Sequence, residues 1–387
     1  MSVAICAIPG DGIGREVVPA AVSVLQATVP GLRVEWAEAG FDTWQRTGDA
    51  IPAETLRLVE ETAATLFGAV SSPLQPTPGY RSAILELRRR FDLYACVRPV
   101  RSLIRDREQA GFTRPNVDLI VVRENTEGLY GGGEESDGER AVARRVITRA
   151  ASRRIGLLAF DLARRLSRRR VTVVHKATVL PKTCGLFRDA VLAVARDYPE
   201  IETDEMLVDN AAMQLAGRPE RFDVVVTTNL YGDILSDVAA IHGGGLGLAP
   251  SANIGDTGGV FEPVHGSAPD IAGRGIANPL AAILAGAMLL DYIGQRAAAS
   301  AVRDAVATIA NSPICTSDLG GTATTREVAN AVIDELGRGR EAIEEPATAR
   351  LDRDRPQPVG GQSACVAWQT HEPATAVAWQ TTPTAVG

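Results

Sequence analysis

The chain predicts an α/β fold with a largely parallel sheet, divided into two domains. Strand-length apolar runs alternate with helix-length amphipathic segments, the order that βα units require. Its 387 residues are 45% hydrophobic, enough to bury a large core and more than one core usually organises. A second block opens after Arg98-Pro99-Val100.

Residues 3–8 read as a buried strand, and Gly10-Asp11-Gly12-Ile13-Gly14 turns it into a helix near Arg15. This is not the dinucleotide fingerprint, which needs Gly or Ala where Arg15 stands. Strand 33–38, helix 52–62, strand 64–69 and helix 82–90 follow, the last ending in arginines. The second block holds a strand at 117–122, a glycine turn at 131–133 and an amphipathic helix at 152–166. Ser167-Arg168-Arg169-Arg170 closes that helix, where cations suit the dipole, and reads as a solvated run. A strand at 171–174 delivers His175 and Lys176, and another at 224–228 leads into a helix. Beyond Pro250 a loop is expected, then helices at 279–292, 298–310 and 326–336. From about Arg338 the composition turns to Pro, Ala, Thr, Gln and Gly, and Val366-Ala367-Trp368-Gln369-Thr370 recurs at 377–381. Residues 338–387 therefore read as a disordered tail.

A formal charge of −7 gives no basic footprint for nucleic acid and no attraction to membranes, and no apolar stretch reaches membrane-span length. The N-terminus opens a strand without a secretory signal, and five scattered cysteines suggest neither a zinc site nor a disulfide framework. A soluble cytoplasmic enzyme is expected. Lysine survives only as Lys176 and Lys182 in an arginine-rich chain. Lysine, unlike arginine, can give up its proton, so these two positions attract interest.

Asp233 and Asp237 stand four apart in Asn229-Leu230-Tyr231-Gly232-Asp233-Ile234-Leu235-Ser236-Asp237. On a helix they share one face. Two neighbouring anions repel, which calls for a cation between them, and hard oxygen ligands suit Mg²⁺ or Mn²⁺. The plainer alternative is that acids favour a helix N-terminus.

Other motifs lie in a fixed order around this pair: Leu87-Arg88, Arg98-Pro99, Arg123-Glu124-Asn125-Thr126-Glu127-Gly128-Leu129-Tyr130, His175-Lys176 and Val208-Asp209-Asn210. Phe261-Glu262-Pro263-Val264-His265-Gly266-Ser267-Ala268-Pro269-Asp270-Ile271-Ala272-Gly273 follows them. From residue 3 to about 336 the chain resembles the β-decarboxylating 3-hydroxyacid dehydrogenases. These are the isocitrate, homoisocitrate and 3-isopropylmalate enzymes. Homoisocitrate dehydrogenases are the nearest in type, through 123–130, 209–222 and Asp318-Leu319-Gly320-Gly321.

The resemblance implies an isopropylmalate dehydrogenase-like fold of two α/β domains with a non-Rossmann dinucleotide site. Residues 1–98 and 251–337 would form the large cofactor domain, and 99–250 the small domain for dimerisation, substrate and metal. It implies oxidation of a 3-substituted malate, a tricarboxylate-like small molecule, and loss of CO₂ from the 2-oxo acid with a divalent cation as Lewis acid. Asp233 and Asp237 would bind the metal, joined by Asp209 from the neighbouring subunit of a homodimer or higher homo-oligomer. Lys176, also from across the dimer, would help deprotonate the hydroxyl, and Tyr130 would return a proton to the enol carbon. Arg88, Arg98 and Arg123 would cradle the substrate's carboxylates as bidentate partners. His265, Gly266, Ser267, Ala268, Asp270, Ile271 and the later Asn278 would bind the dinucleotide. Asp270 favours NAD, because a carboxylate accepts from a ribose 2′-hydroxyl but repels a 2′-phosphate.

Selectivity in this family rests on the segment before Arg88, here Gly79-Tyr80-Arg81-Ser82-Ala83-Ile84-Leu85-Glu86. Ser82 matches the isocitrate enzymes, whereas Ile84 replaces their asparagine. A polar Ser82 disfavours an isopropyl substituent, so an acidic one is expected. Thr178 stands where relatives carry asparagine, which leaves a specialised enzyme for a phosphonate-bearing malate as an alternative. An isopropylmalate- or tartrate-type dehydrogenase and a non-catalytic regulatory subunit are the other rivals. Retention of Lys176, Tyr130, Asp209, Asp233 and Asp237 weighs against the last.

Overall fold

The computed structural model describes residues 3–73, 75, 77–104 and 114–344. The first half runs β1 (Ala4–Gly10), α1 (Gly14–Thr28), β2 (Arg33–Trp36), α2 (Phe41–Thr47), α3 (Ala53–Glu61), β3 (Thr65–Ala69), α4 (Ala83–Arg90), β4 (Ala95–Arg101) and β5 (Asp118–Glu124). Next come α5 (Leu129–Gly132), β6 (Glu134–Ser136), β7 (Ala141–Ala143), α6 (Arg149–Arg165), β8 (Arg170–His175), α7 (Thr183–Ala195), β9 (Glu202–Leu207) and α8 (Val208–Gly217). The chain continues through β10 (Val224–Thr227), α9 (Asn229–Ala240), β11 (Pro250–Ile254), β12 (Gly259–Pro263), α10 (Leu280–Tyr292), α11 (Arg296–Ala310) and α12 (Thr325–Glu344).

Ten strands form one sheet in the order β2-β1-β3-β12-β11-β4-β5-β10-β8-β9. Pairing is parallel except where β11 meets β12 and β4, and where β4 meets β5. The fold is α/β, as the alternation required. β6 and β7 form a separate hairpin, exposed throughout. From Leu280 to Asp291 every residue of α10 is buried, so this helix is apolar on all sides and lies inside the core. α1, α11 and β12 pack around it.

Several expectations are corrected. The segment after Pro250 forms the hairpin β11–β12, not a loop. The glycine turn at 131–133 ends a short helix, α5. β2 stops at Trp36, two residues short. α6 begins at Arg149 and ends at Arg165, and Ser167, with φ 54°, breaks the chain direction before the arginines. Arg168 and Arg170 pair with Asp118 and Glu202. α12 continues to Glu344, seven residues into the stretch assigned to the tail; the expected disorder of 345–387 lies outside the described residues. Among those described, Cys6, Cys96, Cys184 and Cys315 are buried and in no disulfide, and no helix is long and apolar enough to cross a membrane.

Candidate active site

Strands β5, β10, β8 and β9 run parallel, and the candidate residues leave their carboxyl ends, where open α/β sheets place ligands. In the β4–β5 ladder Arg123 lies opposite Cys96. Arg98, two residues along β4 from Cys96, therefore shares the face of Arg123 as its diagonal neighbour. β10 pairs beside β5, so α9, which follows it, packs across both arginine-bearing strands. Gly232 permits this approach: a Cβ there would lie 2.6 Å from Cβ of Arg123.

The first turn of α9 contains no acid, so Asp233 and Asp237 are not helix-start residues. They meet the arginines instead. Asp233 accepts from Arg123 and lies 3.3 Å from Arg98 Nη2, while Arg98 Nη1 donates to Asp237 (3.2 Å) and to Ser236 Oγ (2.7 Å). The cation that the acid pair called for is, within this chain, the Arg98 guanidinium. Asn229 Oδ1 accepts from Arg123 Nε and Nη2 at 3.2 and 2.7 Å. Tyr130, on α5, donates its hydroxyl to Asp233 Oδ2 at 2.9 Å.

Charge and burial set the protonation of this cluster. Burial pushes the Asp233 carboxyl up, but Arg123 and Arg98 outweigh it and hold the group below the usual range. Asp237 goes the other way: burial, with the charge of Asp233, raises it against the pull of Arg98. Burial first, then Asp233, raises the Tyr130 phenol. Arg123 is 2% exposed and Arg98 9%, so both depend on these partners.

Arg88 sits on the buried side of α4 and pairs with Glu262 of β12 at 2.9 Å. Glu262 also accepts from Asn253 (2.8 Å), and Asn253 accepts from Asn125 (3.0 Å), a polar chain that links α4 to β5. The Nε atoms of Arg88 and Arg98 are buried without a hydrogen-bond partner among the described residues. Ser82 precedes α4 without a side-chain capping bond. Ile84, which looked like a departure at the substrate, is 8% exposed and belongs to the core. Leu85 is on the open side instead.

Lys176 and Asp209 leave the ends of the neighbouring strands β8 and β9 and pair with each other. Asp209, two residues beyond β9, lies in the first turn of α8, and the ammonium of Lys176 lowers its pKa. No hydrogen bond or ion pair described here joins this pair to Asp233 or Asp237.

The loop between β12 and α10 carries the other candidates. Ala268 adopts φ 39°, and the amides of Ile271 and Ala272 donate to its carbonyl at 3.1 and 3.2 Å. Asp270 and Gly266 are exposed, and Ile271 packs against the core. Burial lowers the His265 pKa; its Nδ1 lies 3.0 Å from the Gly266 carbonyl. Asn278 caps α10 through the Leu280 amide (3.0 Å) and donates to Asp318 (2.9 Å). The loop is pinned to the first turn of the fold: Ile13 N donates to the Ser267 carbonyl at 2.9 Å. Gly12 has φ +55°, and a Cβ there would lie 2.0 Å from that carbonyl. The glycine turn after β1 is thus closed over by protein.

Sequence reasoning did not single out Asn229, Ser236 and Glu262. Asn229 stands four residues before Asp233, so the same-face spacing that found the acid pair would have found it.

The fold and cluster define an α/β protein with an anion-binding, acid-lined site, and the comparisons specify its kind. The family model for isocitrate/isopropylmalate dehydrogenase matches residues 4–332. The isocitrate/homoisocitrate dehydrogenase of Thermus thermophilus is 54% identical over 336 residues, 87% of this chain and 99% of that protein. The 3-isopropylmalate dehydrogenase of Methanothermobacter thermautotrophicus is 47% identical over 335 residues, again 87% and 99%. The crystal structure of isocitrate dehydrogenase from Methylococcus capsulatus superposes with a TM-score of 0.81 at 43% identity, covering 86% of this chain and 99% of that one. The chain belongs to the isocitrate/isopropylmalate dehydrogenase family. It is a dehydrogenase acting on a 3-hydroxyacid with decarboxylation.

Proposed function

We propose that the protein is an NAD-dependent, Mg²⁺- or Mn²⁺-requiring oxidative decarboxylase of a 3-substituted malate of homoisocitrate or isocitrate type. The cluster of Arg98, Arg123, Tyr130, Asp233 and Asp237 carries this reading. It combines fixed cations for an anionic substrate, hard oxygen donors and a positioned phenol in one place.

Arg88, Arg98 and Arg123 bind the substrate's carboxylates as bidentate partners. Asp233 and Asp237 are the metal ligands of one protomer. The donor set fits: both are carboxylates, the hard oxygen ligands that Mg²⁺ or Mn²⁺ takes, and they stand one helical turn apart on α9. In this reading Asp209 of a neighbouring protomer would be the third ligand. When bound, the cation supplies Lewis-acid polarisation of the substrate's hydroxyl and carboxylate. Lys176 of that neighbour would take the hydroxyl proton, and a dinucleotide held by the 265–273 loop would supply the hydride acceptor. Tyr130, kept protonated by burial and aimed by Asp233, delivers a proton to the carbon that loses CO₂.

A homodimer or higher homo-oligomer is part of this reading. Val179, Met213, Ile234 and Ile241 are exposed at 65, 62, 54 and 45%, near Lys176, on α8, on α9 and just beyond α9. The exposed β6–β7 hairpin offers free strand edges as well. Residues 1–98 with 251–337 and residues 99–250 are the two domains. Four buried thiols suit a reducing, cytoplasmic setting.

His265, Gly266, Ser267, Ala268, Asp270, Ile271 and Asn278 form the dinucleotide site, with exposed Asp270 selecting NAD. Asp270→Lys combined with Ile271→Tyr is expected to move the ratio of kcat/KM for NAD over NADP towards NADP by about 10²-fold, as placing a cation under a 2′-phosphate requires. Steady-state kinetics with both cofactors checks this, and a native enzyme that already prefers NADP contradicts it. The substrate is tested by assaying homoisocitrate, isocitrate, isopropylmalate and phosphonomethylmalate with NAD and Mn²⁺. Homoisocitrate or isocitrate should lead, because Ser82, half-buried at the start of α4, spends its hydroxyl on no capping bond. A lead by isopropylmalate or the phosphonate refutes the assignment.

A further inference from the structure

The turn after β1 does more than connect β1 to α1. Asp11 is 1% exposed, and its carboxylate accepts three backbone N–H groups: Phe41 (2.8 Å) and Asp42 (3.0 Å) at the start of α2, and Ser71 (2.8 Å) beyond β3. From Ser71 two paths diverge. Its hydroxyl donates to Ser267 Oγ at 2.9 Å, in the loop between β12 and α10. Its carbonyl accepts from the Tyr80 hydroxyl at 3.1 Å. Tyr80 packs edge-on against Phe41 and Trp44, with ring centroids 5.0 and 5.5 Å apart, two residues before Ser82 and α4. Glu16, in the first turn of α1, accepts from the Gly273 amide at 2.6 Å and ties down the far end of the same loop.

We infer that Asp11 and Ser71 are positioning residues that couple the 265–273 loop to the segment leading into α4. Ordering either one by its ligand therefore prepares the other. This rests on the proposed reading, in which the loop holds the dinucleotide and the segment meets the substrate's C3 substituent. A hub of one carboxylate and three amides inside packed backbone has few alternative arrangements, so a shift at Ser267 is passed to Tyr80 instead of being absorbed. Along this path the hydroxyl–hydroxyl bond is the side-chain hydrogen bond that joins the two segments among the described residues. Binding coupling is reciprocal, so each ligand must improve the other's affinity by the same factor.

The test measures NADH affinity by fluorescence titration with and without homoisocitrate plus Mg²⁺, a combination that cannot turn over, and homoisocitrate affinity with and without NADH. In the native enzyme both constants are expected to tighten by the same factor, about fivefold or more. Ser71→Ala leaves each single-ligand constant within about twofold but brings that factor close to one, and Ser71→Thr, which keeps a hydroxyl, restores it. Asp11→Asn, whose NH₂ would face at least one backbone N–H in place of an accepting oxygen, loses the coupling too. Absence of coupling in the native enzyme overturns the inference. So does coupling that survives in both Ser71→Ala and Asp11→Asn, or a loss confined to single-ligand affinity. Failure of the underlying reading shows separately, as NADH binding that is unchanged by Asp270→Lys.

Discussion

Asp233→Asn is expected to lower kcat/KM by about 10³-fold or more, because one substitution removes a proposed metal ligand, the partner of Tyr130 and the counter-charge of two arginines. The fold should survive with a measurable loss. Arg123 is 2% exposed and keeps Asn229 as a partner, but an amide no longer compensates its charge. A full buried pair costs 3–5 kcal/mol to break; with Asp233 one-third exposed, about 2 kcal/mol is expected. The pH dependence has a definite sign. The carboxyl of Asp233 is depressed in the folded protein, so its contribution is complete above the ordinary carboxylate value of 3.8 and is lost as pH falls through the depressed one. Urea unfolding should therefore separate the native protein and Asp233→Asn near neutrality and bring them together in strong acid. Activity within tenfold of the native enzyme would remove Asp233 from the mechanism.

Lys176→Ala is expected to cost about 10³- to 10⁴-fold in kcat with little effect on stability, the range for removing a general base. Its partner Asp209 is exposed, so the deletion leaves no buried charge. Lys176→Arg should rescue poorly, since a guanidinium keeps its proton. A pre-steady-state burst of NADH that disappears in both variants would locate the defect at proton removal; an unchanged burst would place Lys176 after hydride transfer.

The two acids and their helix were legible because spacing alone puts i and i+4 on one face, and β10 is an unbroken apolar run. The arginines that neutralise them were legible only as motif positions. Arg98 and Asp237 are 139 residues apart, and no local pattern reports an ion pair closed by β4 and α9. The hairpin β11–β12 was missed for a different reason. Its strand Pro250–Ile254 is rich in small and polar residues and lacks alternation. Ser251 and Asn253 are fully buried because Cys96, Asn125 and Glu262 satisfy them, and tertiary partners of that kind leave no trace in periodicity. α12 was cut short because the composition turns to Pro, Ala, Thr, Gln and Gly from about Arg338, whereas the helix runs on to Glu344. The Asp11 hub lay inside a glycine motif whose rejected fingerprint drew attention to phosphate binding and away from backbone anchoring.

Sites shared between protomers, with Asp233 from one and Lys176 from the other, are the central claim, and mixing two dead variants tests it most directly. Lys176→Ala and Asp233→Ala proteins, each inactive alone, are combined, and subunit exchange is verified by native mass spectrometry. Random pairing makes half the dimers hybrid with one intact site in two, so activity should return to about a quarter of the native value. Verified hybrids that remain as inactive as their parents would contradict shared sites and the mechanism built on them.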